Sequence, residues 1–405
     1  MTLRIGMILD KDFPPDSRVE NEALSLIRAG FSVYLFSLSY QKREKKEIIN
    51  GINVIRYPAG KFTFKLSALA YTIPFYHWIV QSKIKDFLHR YSIDTVHIHD
   101  IQVTRAVYNI NNTRRPIVLD LHENRPEIMK YYRHVNTPKG RLLIDPERWK
   151  MYQEKYIRES DFLVLVTKSA KMEVVAKGMK SADKIVVVPN TVHKDIFLKY
   201  PVIPEISEKF RGRFVVLYLG DTGLRRGTDD AIESVNLLRE KIPDILLVLV
   251  GENKEDIRLK EMVNDLDMMD YVSFEGWQDV SFFPSYIRMA GVCISPLKRN
   301  PHHDTTYANK LFQYMAMGKP LIVSDCPAQA EVVRNTRSGI VFEAGNAVDL
   351  ADKIDWMHRH EEERNQYGKN AKLAVFQKWN WEETSKDLVS LYEKIAAMVG
   401  QNSNF

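Results

Sequence analysis

One alternation runs the length of this chain and limits what it can fold into: short, near-continuous runs of Val, Ile and Leu, each followed by a segment of helical periodicity. Six runs mark the first half, "LRIGMIL" (3–9), "SVYLFSL" (32–38), "DTVHIH" (94–99), "PIVLDLH" (116–122), "FLVLV" (162–166) and "KIVVVP" (184–189). Five mark the second, "RFVVLYLG" (213–220), "ILLVLVG" (245–251), "YVSFEG" (271–276), "GVCISP" (291–296) and "PLIVSD" (320–325). A strand dispenses with a polar face only when both faces are covered, so such runs predict parallel sheets wrapped by helices. At 405 residues the chain exceeds what one hydrophobic core usually serves. The stretch 193–213, "HKDIFLKYPVIPEISEKFRGR", rich in proline and charge, reads as a linker. Two α/β domains are therefore expected, over 1–195 and 205–380. Ligands of open parallel sheets bind beyond the carboxyl ends of the strands. Two such domains facing each other would enclose a cleft, and functional residues should follow strands.

Charge is unevenly spread. The net +6 divides into +12 for residues 1–200 and −6 for 201–405, a field that draws an anionic partner to the first half. No zinc-finger spacing, RNP-type strand or basic helix with interleaved aromatics accompanies it, so no nucleic-acid partner is expected. Residues 61–85 instead join aromatics and aliphatics to Lys61, Lys65, Lys83 and Lys85. That composition suits an anionic membrane surface, or equally a core helix with a solvated end. Cys293 and Cys326, the only cysteines, fall in or just after core strands, which points to a reducing cytosol. The opening "MTLRIGMILDKD" has too short an apolar run for a secretory signal. No stretch reaches the roughly 18 apolar residues of a membrane span. The expected location is cytoplasmic, peripheral to the inner membrane face where a membrane is involved.

Three strand ends carry chemistry. In "ILDKDFPPDSRVENEALSLIRAG", Ser17 and Glu20 have capping-box spacing, and Arg18 in the first turn stands where the helix dipole disfavours a cation, a hint of an anion. In "LYLGDTGLRRGTDDAIESVNLL", a buried strand enters a loop with Gly220, Gly223 and Gly227, then a helix. Glycines let backbone approach a ligand, a helix start offers unpaired N–H groups, and Arg225 and Arg226 add positive charge, which outlines a pyrophosphate site. The loop is neither G-x-G-x-x-G nor a P-loop. In "SPLKRNPHHDTTYANKLFQYMAMGKPLIVSD", a helix begins near Thr306 or Asn309, with Leu311, Phe312, Met315 and Ala316 on its buried side. Lys310, one turn in, has the reach for a phosphate, and Gln313 can bond a diol. His122 ends a first-half strand, placed to bond a sugar hydroxyl or leaving group as a neutral imidazole. His97 and His99 share a strand face, and His302, His303 and Asp304 are adjacent in sequence, but neither set has clean ligand spacing, so no metal is expected.

Gathered in order, these segments resemble the family 4 retaining glycosyltransferases. The resemblance covers nearly the whole chain: "RVENEALSLIRAGFSVYLFS", "LDLHE", "VVVPNTVHKDIF", "GDTGLRRG", "NKLFQYMAMGKPLIVSD" and "AEVVRNTRSGIVFEAGNAVDLADKI" each look like a family segment. It implies the GT-B fold, two Rossmann-like domains with parallel sheets facing across a cleft, and a carboxyl-terminal helix at 382–400 returning to the first domain. It further implies transfer of a sugar from a nucleotide diphosphate sugar, with uridine the expected base, to a glycan, lipid-linked or small-molecule acceptor. Cell-surface polysaccharide or glycoconjugate synthesis is the expected setting. The configuration would be retained, without cofactor, metal or protein nucleophile. The implied catalytic residues are His122, Arg226 and Lys310. Gly220, Gly223, Arg225, Thr305, Thr306, Tyr307, Asn309 and Gln313 would meet the donor, and Arg18 and Glu123 the acceptor. Where the family frames its donor with two glutamates eight positions apart, this chain has Thr305 and Gln313. Asp221 follows the loop's first glycine where many relatives place Arg, and would repel phosphate unless turned away. Two other readings fit the scaffold. A sugar-nucleotide epimerase would rely on Glu123, Asp304 or Asp100, and a binding protein without turnover is favoured by Thr305 and Gln313.

Overall fold

Each of the apolar runs forms a strand in the computed structural model, which describes residues 2–112, 114–132 and 135–402. The chain divides into two compact units: the residues up to Pro189 together with those from Ser385 onward, and Asn190–Thr384.

The first unit is built on an eight-stranded sheet, β1 (Arg4–Leu9), β2 (Ser32–Ser39), β3 (Lys46–Ile49), β4 (Ile52–Pro58), β5 (Thr95–His99), β6 (Ile117–Leu121), β7 (Phe162–Leu165) and β8 (Ile185–Val187), in the order β3-β4-β2-β1-β5-β6-β7-β8. All neighbours are parallel except β3 and β4. That hairpin turns on Asn50 (φ 50°) and Gly51 (φ 89°), between the paired residues Ile49 and Ile52. Positive φ at both positions is what an Asn-Gly hairpin turn requires, so the pair was a legible signal that the parallel-strand reading passed over. The Ser17–Arg28 helix is capped by Asp16, whose carboxylate accepts from Val19 N at 3.1 Å. The capping box expected of Ser17 and Glu20 does not form, because the carboxylate one residue earlier takes the N–H and Glu20 accepts from Asn50 instead. The chain's last helix, Lys386–Asn402, packs on the Ser17–Arg28 helix and β8, with Tyr392 fully buried.

The second unit holds a six-stranded, wholly parallel sheet: β9 (Phe214–Leu219), β10 (Ile245–Val250), β11 (Val272–Gly276), β12 (Val292–Ser295), β13 (Leu321–Ser324) and β14 (Gly339–Phe342), ordered β11-β10-β9-β12-β13-β14. Strands β9 and β10 are buried almost throughout, as their uninterrupted aliphatic sequence demands. In each sheet the strand order reverses at the first strand, β1 or β9, so the loops leaving that strand and its neighbour β5 or β12 open the crevice where such sheets bind ligands. Among the described residues no helix is long and apolar enough to cross a membrane.

Candidate functional site

In the second unit the loops leaving β9 and β12 are fastened to each other, Lys298 N donating to Arg225 O at 3.1 Å. They pack tightly at Gly227, where φ is 72° and a Cβ would lie 1.8 Å from the Pro296 carbonyl oxygen; only glycine fits. The 220–227 loop is also fixed to the segment after β10. Asn253 Nδ2 donates to Asp221 Oδ1 at 2.7 Å, Leu224 N donates to Glu255 Oε2 at 2.8 Å, and the Thr222 hydroxyl bonds Asp256. Asp221 Oδ1 also accepts from Gly223 N at 2.8 Å. The Asp221 carboxylate is thus turned into its own loop. Burial alone would raise its pKa, but the Gly223 N–H and the Arg226 charge outweigh burial and lower it. Arg225 and Arg226 stand 3.7 and 3.9 Å from its other oxygen.

Lys310 enters from the Asn309–Ala316 helix. It is buried, its Nζ lies 3.3 Å from the centre of the Tyr218 ring, and among the described residues Nζ has no hydrogen-bond partner. A side chain begun on Gly220 would meet Lys310 Cε and Nζ at 3.6 Å. Burial, and then repulsion from Arg226, hold the Lys310 pKa well below its ordinary value. A buried amine with a depressed pKa beside Arg226 and a glycine turn is a socket short of an anion.

The remaining donor candidates divide. Gln313 is half-buried between buried Phe312 and Tyr314 and makes no side-chain hydrogen bond among the described residues. Asn309 is exposed at the helix start. Thr305 and Thr306 donate their hydroxyls to the carbonyls of Pro301 (2.8 Å) and His302 (2.7 Å). Tyr307 packs edge-on against Phe312 and Trp379, a packing role that its place beside the helix start did not reveal. His302 and His303 are both buried, and burial pushes their pKa values down to about 3 and about 4. His303 bonds the Lys298 carbonyl at 2.8 Å and so stiffens the loop after β12.

In the first unit the ends of β5 and β6 carry a chain of ionisable groups around Asp120, itself fully buried. Asp120 accepts from His122 Nε2 at 2.8 Å and from Arg18 at 3.1 Å, with His97 Nε2 and His99 Nδ1 each 3.4 Å away. Arg18 also pairs with Glu22 at 2.8 Å and donates to the Val188 carbonyl at 3.0 Å. Arg18, the residue expected to meet the acceptor, is thus already engaged within the protein. It is 4% exposed, and the anion that offsets its unfavourable place in the helix is Asp120 with Glu22. Burial alone would raise the Asp120 pKa, but Arg18 and His122 hold it well below the carboxylate range. Burial pushes Glu22 up to about 8 despite Arg18. Burial works against a charge on His122, yet Asp120 and then Asp100 outweigh it and hold its pKa at about 9. The candidate catalytic histidine is therefore an imidazolium at neutral pH, where the sequence suggested a neutral ring. Glu123 is half-buried at the same rim, 3.4 Å from Arg125, its pKa raised by burial and then by Asp100.

Glu22, His97, His99 and Asp120 bring one metal-ligand type of atom each within 4.8 Å of one another. Arg18 bridges both carboxylates, so their charge is answered by the protein itself. The sequence did carry a signal for Asp120. A carboxylate inside the aliphatic run "PIVLDLH" has to find a buried partner, and Arg18 and Glu22, four apart on one helix face, are ready-made for it.

Known proteins give the same reading for both halves. The family model described as glycosyltransferase family 4 matches residues 17–195, and that of glycosyl transferases group 1 matches residues 200–374. An uncharacterized glycosyltransferase of Methanocaldococcus jannaschii is 21% identical over 375 residues, covering 90% of each chain. A phosphatidyl-myo-inositol mannosyltransferase of Mycobacterium leprae is 22% identical over 319 residues, 78% of each. Among solved structures, sucrose-phosphate synthase from Thermosynechococcus elongatus matches with a TM-score of 0.77 at 19% identity, covering 98% of this chain and all of that one. Anabaena HepE in complex with UDP-glucose matches at 0.68 and 15%, covering 98% and 99%. With one family model on each unit and this fold in common, the chain belongs to the family 4, group 1 glycosyltransferases and has their GT-B fold.

Proposed function

We propose that this protein transfers a sugar from a nucleotide diphosphate sugar, carried on UDP, to a glycan, lipid-linked or small-molecule acceptor, with the anomeric configuration retained. The observation that carries the reading is the Lys310 amine, buried and, among the described residues, without a hydrogen-bond partner, beside Arg226 and the 220–227 turn. A diphosphate supplies the missing charge. As the bond from the anomeric carbon to the diphosphate oxygen breaks, negative charge grows on that oxygen, and Lys310, Arg225 and Arg226 are already in place to receive it. No metal ion is then required for charge neutralisation. The Gln313 amide suits a ribose diol, though without the charge-assisted bond a carboxylate would make. His122 serves as the catalytic residue contributed by the first unit, and Glu123 meets the acceptor. The UDP-glucose bound to Anabaena HepE supports the choice of donor class.

A donor panel tests this. A nucleotide sugar at 100 times its Kd should stabilise the protein by about 2.7 kcal/mol; if no nucleotide or nucleotide sugar raises Tm, the reading fails. Transfer should persist in a chelator. Arg226→Ala should weaken nucleoside diphosphate binding by roughly 10- to 100-fold, the worth of one charged hydrogen bond, while nucleoside binding changes little.

We infer a cytosolic site of action at an anionic membrane surface. Phe62, Phe64, Phe75 and Trp78 are all at least half exposed, on and between Lys61 and Lys65 and the start of the following helix. Exposed aromatics interleaved with lysines bind headgroup regions. Co-sedimentation with vesicles containing phosphatidylglycerol, but not with phosphatidylcholine alone, is the expected result. A Phe62→Ser, Phe64→Ser, Trp78→Ser variant that still sediments would remove the inference.

A further inference from the structure

Three histidines, His97, His99 and His122, surround one carboxylate, and only His122 has a side chain open to solvent, 14% exposed against none for the others. A catalytic proton left on His97 or His99 would serve no substrate. What places it on His122 is traceable atom by atom. His97 Nε2 faces two carboxylate oxygens, Asp120 Oδ2 and Glu22 Oε2, both at 3.4 Å. Asp120 is held ionised, so a bare lone pair there would be repelled by its carboxylate, and Nε2 carries the hydrogen. Nδ1 of the neutral ring is then an acceptor, and the Tyr392 hydroxyl, 2.8 Å away, is its donor. The two rings lie nearly parallel, 12° apart with centres 6.0 Å apart, and both are completely buried. A hydrogen bond donated to the basic nitrogen favours the neutral ring, and burial lowers the His97 pKa in the same direction.

We propose that Tyr392, on the last helix of the chain, is a positioning residue for His122: its hydroxyl holds His97 neutral with Nε2–H toward Asp120, and so leaves the shared proton on His122. The role given to His122 rests on the glycosyl-transfer reading above; the placement of the proton does not. The charged groups around His122 are Asp120 and Glu123 on its own strand and loop, His97, His99 and Asp100 from the adjacent strand end, and Asp16, Arg18 and Glu22 from the Ser17–Arg28 helix. Of these, His97 is the one whose charge Tyr392 controls. Without the hydroxyl, His97 Nδ1 can take up a proton, and a second imidazolium then competes for Asp120.

Histidine-labelled protein read by nitrogen–proton correlation spectra tests this with no substrate present. In the wild type, His97 should show the Nε2–H tautomer, and His122 should titrate near pH 9, its signal assigned with His122→Gln. In Tyr392→Phe, which removes one oxygen and keeps the ring, His97 should begin to protonate. The His122 midpoint should fall by roughly one pH unit, about the worth of the hydrogen bond removed. The alkaline limb of kcat should move down with it. An Nδ1–H tautomer of His97 in the wild type overturns the proposal even if the variant does not fold, and so does an unmoved His122 midpoint in a folded Tyr392→Phe. Failure of the transfer reading would leave these spectra unchanged, so the two outcomes are separable.

Discussion

Lys310→Met is expected to lower kcat/KM for the donor by about 10²- to 10³-fold, the usual effect of removing one preorganised group from a developing anion. Methionine keeps the length of the side chain and its contact with the Tyr218 ring, so the loss reports charge rather than a cavity. The same substitution should raise the Tm of the ligand-free protein. Burial and Arg226 depress the Lys310 pKa in the folded state, so the wild type loses stability as pH falls from the unfolded lysine value toward the folded one. A methionine carries no such cost. Diphosphate beside the amine reverses the balance and favours the charged form, so donor binding should take up a proton. Calorimetry of UDP binding in two buffers of different ionisation enthalpy measures that uptake directly. It should be present in the wild type and smaller in Lys310→Met. A variant with unchanged kcat/KM would leave the Lys310 socket without a function.

The second large effect concerns stability. Asp120→Asn leaves Arg18 and the His122 imidazolium facing an amide inside a fully buried cluster, and breaking a buried ion pair from one side costs about 3–5 kcal/mol. The pH dependence separates this from a packing defect. Asp120 is held below its ordinary value, so its contribution is present above roughly pH 4 and is lost as pH falls through the folded value. His122 is raised to about 9, so its contribution is complete below roughly pH 6.5 and is lost as pH rises through about 9. The difference between wild type and variant, read by urea unfolding, should therefore be largest between about pH 4 and 6.5 and shrink toward pH 9. A difference that stays constant from pH 5 to 9 would mean that the pair does not carry the stability.

Much of the candidate donor site was legible because it lies in two continuous segments. The 220–227 turn and the 301–316 stretch each announce themselves through glycine, arginine and helix-start residues. The strand order joins them by setting β9 beside β12. The first-unit cluster was harder to see, because Arg18, Glu22, His97, Asp120 and Tyr392 come from four segments, and the bonded pair His97 and Tyr392 alone are 295 positions apart. Arg18 shows how a local reading goes astray. Its cost at a helix start predicted an anion, and one is there, but it belongs to the protein's own core.

By itself, then, the chain's alternation of aliphatic runs and amphipathic stretches settled the two parallel-sheet units, since burial of both strand faces is a local requirement that every such run must meet. Which charges survive burial was decided only by tertiary structure. A pKa depends on what stands within a few ångströms, and those surroundings draw on distant sequence: the Asp120 carboxylate beside His122 is held by Arg18, some hundred residues earlier, and Lys310 faces a glycine turn some eighty to ninety residues before it.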